Sequence, residues 1–426
     1  MAIARTTITR RTFGRLSGGA VLGVATPAVL SGAYAQSKPI RIGYSASLTG
    51  PLSSTKNLIV GYELWRDDVN AAGGLLGRKV ELVSYDDQSL PSTVPGIYSK
   101  LVDVDRVDFL MTPYGANLTA PVVPFAKSRN RLIVGILTLA ANDRVRHDRF
   151  FQAAPWGPNG AEDWARGFFD LAGTEGIRRI AILAADTEFS KTAAAGGRRV
   201  SEQSGIEVAD YTIYPPTNLD FTTILRNIRA KKAEAVFVCS YPADSAAIAR
   251  GVQEVGVGDE VRLFGGGMVG PQYASLLESL GPVLNGITNF HLYVPEPTLN
   301  FTGIDSFLAR YVPIAKERRV DPLGFYIPPF CYAAGQLVAT AVTATGSLDE
   351  GRVARWLHDN PVDTVVGRIA FNELGDWTER RVLMCQFRDV EGNDLEQFRR
   401  PGRQVVVHPQ TVRSGPLVPF AKARKA

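Results

Sequence analysis

The sequence predicts an α/β protein of two Rossmann-like lobes, each built on a parallel sheet, and three observations lead to that prediction. Stretches rich in β-branched residues alternate with stretches of helical spacing, once through about residues 40–150 and again through about 160–285. Strands separated by helices belong in parallel sheets, because a crossover must return the chain to the same edge. The length of 426 residues, with 45% hydrophobic and 21% charged residues, suffices for two sizeable cores and excludes a disordered chain.

The first run supplies four strands with helices between them. Its opening strand, 39–48, is β-branched and alternating, and Thr49-Gly50-Pro51 stops it. A helix at 59–70 ends before Gly73-Gly74, as glycine commonly follows a helix. The other elements predicted in this run are strands at 79–85, 108–112 and 132–137 and a helix at 94–104.

The second run continues the pattern and leaves a late region for both lobes to share. The late region consists of a helix at 328–345 and a β run at 367–372 and 381–388. The strands predicted in the second run are 179–184, 207–214, 235–239 and 261–265. Because ligands of open parallel sheets bind beyond the carboxyl ends of the strands, we expect the ligand at the loops 49–57, 113–120, 136–142, 185–191, 240–245 and 265–271.

The charge of the chain is concentrated at its ends. Residues 1–35 hold four arginines and no acid, and residues 399–426 hold seven basic residues and no acid. Residues 36–398 therefore carry 36 basic against 42 acidic residues, although the whole chain has a formal charge of +5. A body of that sign is a poor nucleic-acid binder, so we expect no nucleic-acid partner. The basic tail, 399–426, is interpreted as a solvated terminal arm.

The N-terminus has the three parts of an export signal. Arg10-Arg11 precedes an uncharged apolar run, 16–30, and Ala33-Tyr34-Ala35 follows it. The arginine pair indicates the Tat route, cleavage is expected after Ala35, and the mature protein is expected in the periplasm. An arginine-rich transit peptide is the alternative, but the apolar run and the small-residue cleavage site favour export.

Catalytic and metal-binding patterns have little support. The chain contains four histidines and no H-x-x-x-H or C-x-x-C spacing, and neither a G-x-S-x-G nor a phosphate-loop motif occurs. The segment 265–270 fits G-x-G-x-x-G, but Pro271 follows it and residues 279–295 contain no acid to hold a ribose. This segment is better explained as a glycine loop that brings backbone close to a ligand. We therefore expect no catalytic residue, no metal ion and no cofactor.

Several stretches resemble the leucine/isoleucine/valine-binding branch of periplasmic binding proteins, the solute receptors of ABC importers. The most specific combines a helix, N-x-x-G-G-L-x-G-R, a strand and an acidic pair within residues 61–88. The others are IRIGYSASLTGPLSS (40–54), GANLTAPVVPFAKSRNRLIV (115–134), FFQAAP (150–155), YPADSAAIARGVQEVG (241–256) and VVGRIAFNELGD (365–376). The resemblance implies two lobes joined by three crossovers, with 36–155 plus about 290–365 in the first lobe and 156–289 plus about 366–398 in the second.

The resemblance also implies which residues line the ligand cleft. In this family a loop holds the ligand carboxylate through backbone N–H groups and through a hydroxyl four residues after a glycine, and the matching residues here are Gly115 and Thr119. A helix N-terminus suits an anion on physical grounds as well. An N-cap role for Thr119 is the alternative. The full set of ligand-binding candidates is Thr55, Tyr114, Asn117, Thr119, Leu137, Thr138, Trp156, Phe189, Tyr241, Gly267 and Met268.

One departure from the family pattern bears on the ligand. Amino-acid binders of the family place a carboxylate against the ligand ammonium, and the matching position here is Gly267 or Met268. Burying an unpaired ammonium costs several kcal/mol. Either another acid (Asp186, Glu188 or Asp244) reaches the ligand, or the ligand has no ammonium group, which makes aromatic or aliphatic carboxylates candidates.

The predicted function is that of a monomeric solute receptor. It would capture an amino acid or a related small carboxylate and deliver it to an ABC permease at the inner membrane. A ligand sensor on the same fold is the alternative, because the sequence of such a protein would look the same. A periplasmic oxidoreductase with a nucleotide is a third possibility that rests only on the glycine motif at 265–270.

Overall fold

Two sheets, each dominated by parallel strands, organise the chain in a computed structural model that describes residues 38–299 and 301–424. The predicted export signal and its cleavage site lie outside the described residues. The two sheets and the helices that cover them confirm the α/β fold of two lobes that the sequence predicts.

The first sheet has five strands, all parallel, in the order β2-β1-β3-β4-β5. Strand β1, the strand predicted to open the fold, lies between β2 and β3, and almost all of its side chains are buried, which explains its apolar, β-branched composition. The bounds are β1 Ile40–Ala46, β2 Val80–Asp86, β3 Phe109–Met111, β4 Ile133–Gly135 and β5 Phe150–Gln152.

The second sheet has seven strands in the order β14-β13-β10-β9-β8-β6-β7. The strands from β6 to β10 are parallel, whereas β13 runs antiparallel to β10 and β14 antiparallel to β13. A separate hairpin is formed by β11 Val362–Thr364 and β12 Gly367–Ile369. The bounds in the sheet are β6 Arg179–Ala185, β7 Glu207–Tyr214, β8 Ala235–Ser240, β9 Leu263–Met268, β10 Thr288–His291, β13 Leu383–Phe387 and β14 Gln404–His408.

The helices cover the sheets, and a late helix returns to pack on the first one. Helix α11 lies against α1 so closely that a Cβ on Gly335 would meet the Trp65 ring at 2.1 Å. None of the described helices is both long and apolar enough to cross a bilayer. The bounds are α1 Leu58–Ala71, α2 Val94–Ser99, α3 Gly115–Thr119, α4 Val122–Ser128, α5 Gly160–Thr174, α6 Glu188–Gln203, α7 Thr222–Ala230, α8 Pro242–Val255, α9 Ala274–Leu280, α10 Ile304–Arg318, α11 Pro328–Thr345, α12 Glu350–Asp359 and α13 Phe420–Ala423.

Two expectations about local structure are wrong. The first part of the glycine motif is a strand rather than a loop, because Gly265, Gly266 and Gly267 lie inside strand β9. A Cβ on Gly266 would meet Phe237 at 2.5 Å and Phe168 at 2.7 Å, so the missing side chain makes room for aromatic rings of the core. These glycines therefore allow close packing in the core of the second lobe.

The basic tail is not a solvated arm. Its strand β14 pairs with β13. After this strand the chain turns back, and the backbone N–H groups of Ser414 and Gly415 donate to the carbonyl oxygen of Val406. Further on, Phe420 is buried and stacks on Phe264 at a centroid distance of 5.0 Å. The tail thus completes one edge of the second sheet, and its apolar residues, rather than its charges, determine where it lies.

The integration of the tail makes a stability prediction. Replacing Phe420 by alanine removes a buried ring from the second lobe, and the free energy of unfolding should fall by about 3 kcal/mol. The matched control is Lys422→Ala on the same short helix, whose side chain is exposed and should matter by less than about 0.5 kcal/mol. Urea denaturation measures both variants, and equal effects of the two would show that the tail is not part of the fold.

Candidate functional site

The two lobes touch where the loop after β3 meets the start of α6. The backbone N–H of Phe189 in the first turn of α6 donates to Asn117 Oδ1 of α3 at 3.0 Å. N–H groups in the first turn of a helix have no partner within the helix, so Asn117 supplies an acceptor across the junction. Close by, the Tyr241 hydroxyl lies 3.8 Å from the position that a Cβ on Gly115 would occupy. The structure therefore brings the predicted residues Asn117, Phe189 and Tyr241 to one place.

Seven aromatic side chains surround this junction and are called the aromatic cluster below. They come from both sheets' loops and helices and from the segment that leads into α11, and neighbouring rings pack mainly edge to face, as their quadrupoles favour. The cluster starts at Tyr114, next to Gly115, and ends at Tyr241, whose hydroxyl returns to Gly115. The centroid distances are Tyr114–Tyr326 6.2 Å, Tyr273–Tyr326 5.9 Å, Phe290–Tyr326 6.1 Å, Trp164–Phe290 5.1 Å, Trp164–Phe189 5.4 Å and Phe189–Tyr241 5.6 Å.

The hydroxyl and indole groups of the cluster are buried, and only some have partners. Tyr114 Oη and Tyr326 Oη share a hydrogen bond of 3.2 Å. Tyr273 Oη and Trp164 Nε1 are buried and have no partner within the described residues. Burial raises the pKa of Tyr114, Tyr273 and Tyr326 well above the ordinary value, so these phenols stay protonated and can donate at neutral pH.

A strained loop with free donors follows strand β4. Leu137 has a φ of +54°, which an L side chain rarely adopts, and such outliers concentrate at functional sites. Within the described residues, no acceptor receives the backbone N–H groups of Leu137, Thr138 or Leu139. The Gln152 amide holds the loop by donating to the carbonyl oxygen of Thr138 at 2.6 Å and to its hydroxyl. Buried N–H groups without acceptors are suited to an anion.

Three more of the predicted site residues are Thr119, Thr55 and Trp156. The two threonine hydroxyls bond to backbone carbonyl oxygens, and the tryptophan indole is buried. Thr119 Oγ1 donates to the Pro113 carbonyl oxygen at 3.4 Å, and Thr55 Oγ1 donates to the Leu52 carbonyl oxygen at 2.7 Å. Trp156 is buried, and its Nε1 has no partner within the described residues. Their roles as ligand contacts stay predictions.

Gly267 and Met268 do not form a polar contact point. Met268 packs in the core of the second lobe, and its backbone N–H and carbonyl group both bond to the Asn289 side chain, at 2.9 and 2.7 Å. A Cβ on Gly267 would meet Trp164 Cη2 at 2.7 Å. The room that a side chain at 267 would need is therefore filled by the Trp164 indole of the aromatic cluster.

The acids considered as substitutes have other partners or positions. Asp186 is exposed and pairs with Lys191 at 2.7 Å. Asp244, in the turn that follows Tyr241, accepts the Tyr214 hydroxyl at 2.6 Å, and burial raises its pKa to about 6. Glu188 lies at the exposed start of α6. Asp321, beside Tyr273, accepts backbone N–H groups of Ala274, Leu323 and Gly324.

Two cavities flank the junction, and each is lined by residues of both lobes. One has a volume of about 410 Å³ and is lined by Lys56, Arg319 and Asp321 together with Tyr273 of the cluster. The other has a volume of about 420 Å³ and is lined by residues that include Ala116, Leu139, Glu188 and Arg199. The first cavity reaches the aromatic cluster at Tyr273, and the second is lined by residues next to the loop after β4 and the start of α6.

Sequence reasoning missed four members of the cluster: Trp164, Tyr273, Phe290 and Tyr326. Each lies in a helix, a strand or a linker, and the local sequence around it is typical of buried core residues. Only the packing of the two lobes brings the four side chains together. A usable signal existed for Tyr273, because it follows the carboxyl end of a predicted strand by a few residues.

Comparison with known proteins gives three kinds of match. The family model described as periplasmic binding protein matches residues 39–386. The Leu/Ile/Val-binding protein homolog 3 of Brucella melitensis is 24% identical over 355 residues, which cover 83% of this chain and 91% of that protein.

Two solved structures share the fold. One is a solute binding protein of an ABC transporter from Rhodopseudomonas palustris in complex with 3,4-dihydroxybenzoic acid (TM-score 0.69, 20% identity, covering 83% of this chain and 94% of that one). The other is a branched-chain amino acid transporter substrate binding protein from Streptococcus pneumoniae in complex with isoleucine (TM-score 0.68, 18% identity, covering 84% and 97%).

The hydrogen bond across the junction is testable without a ligand. Replacing Asn117 by alanine removes the acceptor of the Phe189 N–H. Because such a hydrogen bond contributes about 0.5–1.5 kcal/mol, its loss should speed hydrogen exchange of that amide by roughly threefold to tenfold. Hydrogen exchange of the peptide around 186–192, followed by mass spectrometry, measures this change. The control is Asn393→Ala, which removes another hydrogen bond from a side chain to the backbone, at an exposed position far along the chain. Unchanged exchange at Phe189 would mean that the lobes do not hold this contact in solution.

Proposed function

The chain belongs to the periplasmic binding protein family, and on that premise we propose that it is the solute-binding component of an ABC transporter. It would capture a small carboxylate between its lobes in the periplasm and deliver it to a permease. The match to a solute binding protein of an ABC transporter with the same fold supports this role. The proposal includes a monomeric protein that is exported by the Tat route and cleaved after Ala35, as the N-terminal sequence predicts.

The carboxylate end of the ligand is proposed to lie at the loop after β4. Leu137, Thr138 and Leu139 are buried, and in the part of the chain that the structure describes their N–H groups have no acceptor. An ionised oxygen would satisfy them with charge-assisted hydrogen bonds. The start of α3 at Gly115 offers further N–H groups with no partner within that short helix. Both donor groups follow neighbouring strands, β3 and β4, whose carboxyl ends share one edge of the first sheet.

The rest of the ligand is proposed to contact the aromatic cluster. The groups present in the cluster are the basis for the ligand class that we propose. The cluster provides ring faces and edges from both lobes. The carboxylates of Asp186, Asp244 and Asp321 have other partners, and Glu188 lines the cavity of about 420 Å³. An α-ammonium group beside these rings would be buried without a carboxylate, which costs several kcal/mol. The arrangement therefore suits a carboxylate without an α-amino group, and an aromatic one best, because ring stacking adds about 0.5–1.5 kcal/mol.

The proposed role is binding rather than catalysis. The relatives named above are binding proteins, and the site consists of hydrogen-bond donors and aromatic rings. Closure of the two lobes over the ligand would then be the functional step, since the closed form is the one that binds well.

A calorimetric comparison tests the ligand class. Phenylalanine and 3-phenylpropanoate share a carbon skeleton and differ in the amine, and the acid without the amine should bind at least tenfold more tightly, a difference of about 1.4 kcal/mol. The methyl ester of 3-phenylpropanoate is the control and should not bind, because the free N–H groups need an ionised acceptor.

Leucine and 4-methylpentanoate repeat the comparison with an aliphatic chain. Tighter binding of either amine-bearing partner by tenfold would show that a carboxylate reaches the ammonium, and an ordinary amino-acid receptor would replace the proposal.

A further inference from the structure

Three buried tyrosines meet at the junction from three different parts of the chain. Tyr114 precedes α3, Tyr273 precedes α9, and Tyr326 lies just before α11. Their rings are neighbours, with Tyr326 between the other two at 6.2 and 5.9 Å. They are called the tyrosine triad below.

The hydrogen bonds of the triad do not balance. Three phenol O–H groups are available, and one hydrogen bond, between Tyr114 Oη and Tyr326 Oη, accounts for only one of these donors. Tyr273 Oη is buried and has no partner within residues 38–299 and 301–424. Leaving a buried polar group unsatisfied costs about 1–3 kcal/mol, so such a group in a native structure calls for an explanation.

The neighbouring carboxylate does not resolve the imbalance. Asp321 lies beside Tyr273 in the wall of the same cavity, but its oxygens accept the N–H groups of Ala274 at 2.7 Å, Leu323 at 2.9 Å and Gly324 at 3.3 Å. Phe290, which packs against Tyr326, has no polar side-chain atom, and within the described residues no hydrogen bond joins the Tyr273 hydroxyl to another tyrosine. The Tyr273 hydroxyl is therefore free to donate to an oxygen of a bound molecule.

The triad lies where a ligand can reach it. Tyr273 is one of the residues that line the cavity of about 410 Å³ between the lobes. Tyr114 is adjacent in sequence to Gly115, where the donors proposed for the carboxylate begin. A ligand held there by its carboxylate would thus have a second contact point at the tyrosine hydroxyls.

From this placement we infer that the tyrosine triad recognises a second oxygen on the ligand, with Tyr273 as the residue that selects for it. The inference rests on the proposed function and narrows it to a small carboxylate that carries a hydroxyl or carbonyl oxygen away from the carboxylate, as a hydroxylated aromatic acid does. A ligand hydroxyl can accept from Tyr273 and donate to another member of the triad, which satisfies both groups. A site built to bond such an oxygen rejects the analogue that lacks it.

The experiment compares two pairs of probes by calorimetry: 4-hydroxybenzoate with benzoate, and 3-(4-hydroxyphenyl)propanoate with 3-phenylpropanoate. The wild-type protein should bind the hydroxylated member of at least one pair roughly tenfold more tightly. Tyr273→Phe keeps the ring and removes only the hydroxyl, so it should abolish this preference while affinity for the unsubstituted acid stays within about twofold.

The control is Tyr293→Phe, a buried tyrosine whose neighbours are Phe301 and Phe325 rather than the cluster, and it should keep the wild-type preference. Equal binding of both members of each pair by the wild type would overturn the inference and leave the proposed function standing. A preference that survives in Tyr273→Phe would overturn the role of Tyr273. Binding of none of the four acids would overturn the inference together with the aromatic ligand class.

Discussion

Edge-to-face packing of aromatic rings across the two lobes is the interaction on which the site depends. Tyr114 belongs to the loop after β3 of the first sheet, whereas Trp164, Phe189 and Tyr241 belong to the second lobe, and Tyr326 leads into a helix that packs back on the first. Rings that must meet across a junction pack only when the lobes approach each other. The same contacts that build the site therefore also favour closure, and any ligand between the rings adds its own buried surface to theirs.

The packing of Trp164 beside Gly267 bears on the ligand class that we propose for this site. At residue 267 the family resemblance leads one to expect a carboxylate, but the chain has a glycine there, and Trp164 fills the space at 2.7 Å from the missing Cβ. Among the polar groups near the cluster, the Trp164 indole, the Tyr273 phenol and the N–H groups after β4 are donors without a partner within the described residues. Unpaired donors favour a ligand that brings oxygen acceptors, and they give nothing to an ammonium group.

The architecture could be predicted from the sequence because each strand and helix shows its own local periodicity, and because alternating strands and helices require parallel sheets. Every strand predicted from residue 39 to 265 corresponds to a strand in the structure, shifted by a few residues at most. The short strands β5 and β10 were not predicted, because three or four fully buried residues have no alternation to detect. Strand β14 was not predicted, although Val405, Val406 and Val407 form a short β-branched run, because basic residues flank that run on both sides.

The site was less predictable for a physical reason. Phe189, Tyr241, Tyr114 and Asn117 follow the carboxyl ends of strands, so the topology alone points to them. Trp164 and Phe290 lie in a helix and a strand with buried neighbours, and nothing local distinguishes them from core.

Small-angle X-ray scattering tests the central claim, that the two lobes close on a ligand held at the aromatic cluster. The radius of gyration should be measured without ligand and with a saturating amine-free aromatic acid, saturation being established by calorimetry. The account predicts a smaller radius with the ligand, because the contact between Asn117 and Phe189 belongs to the closed arrangement and the free protein should also populate an open one. An unchanged radius at saturation would contradict it.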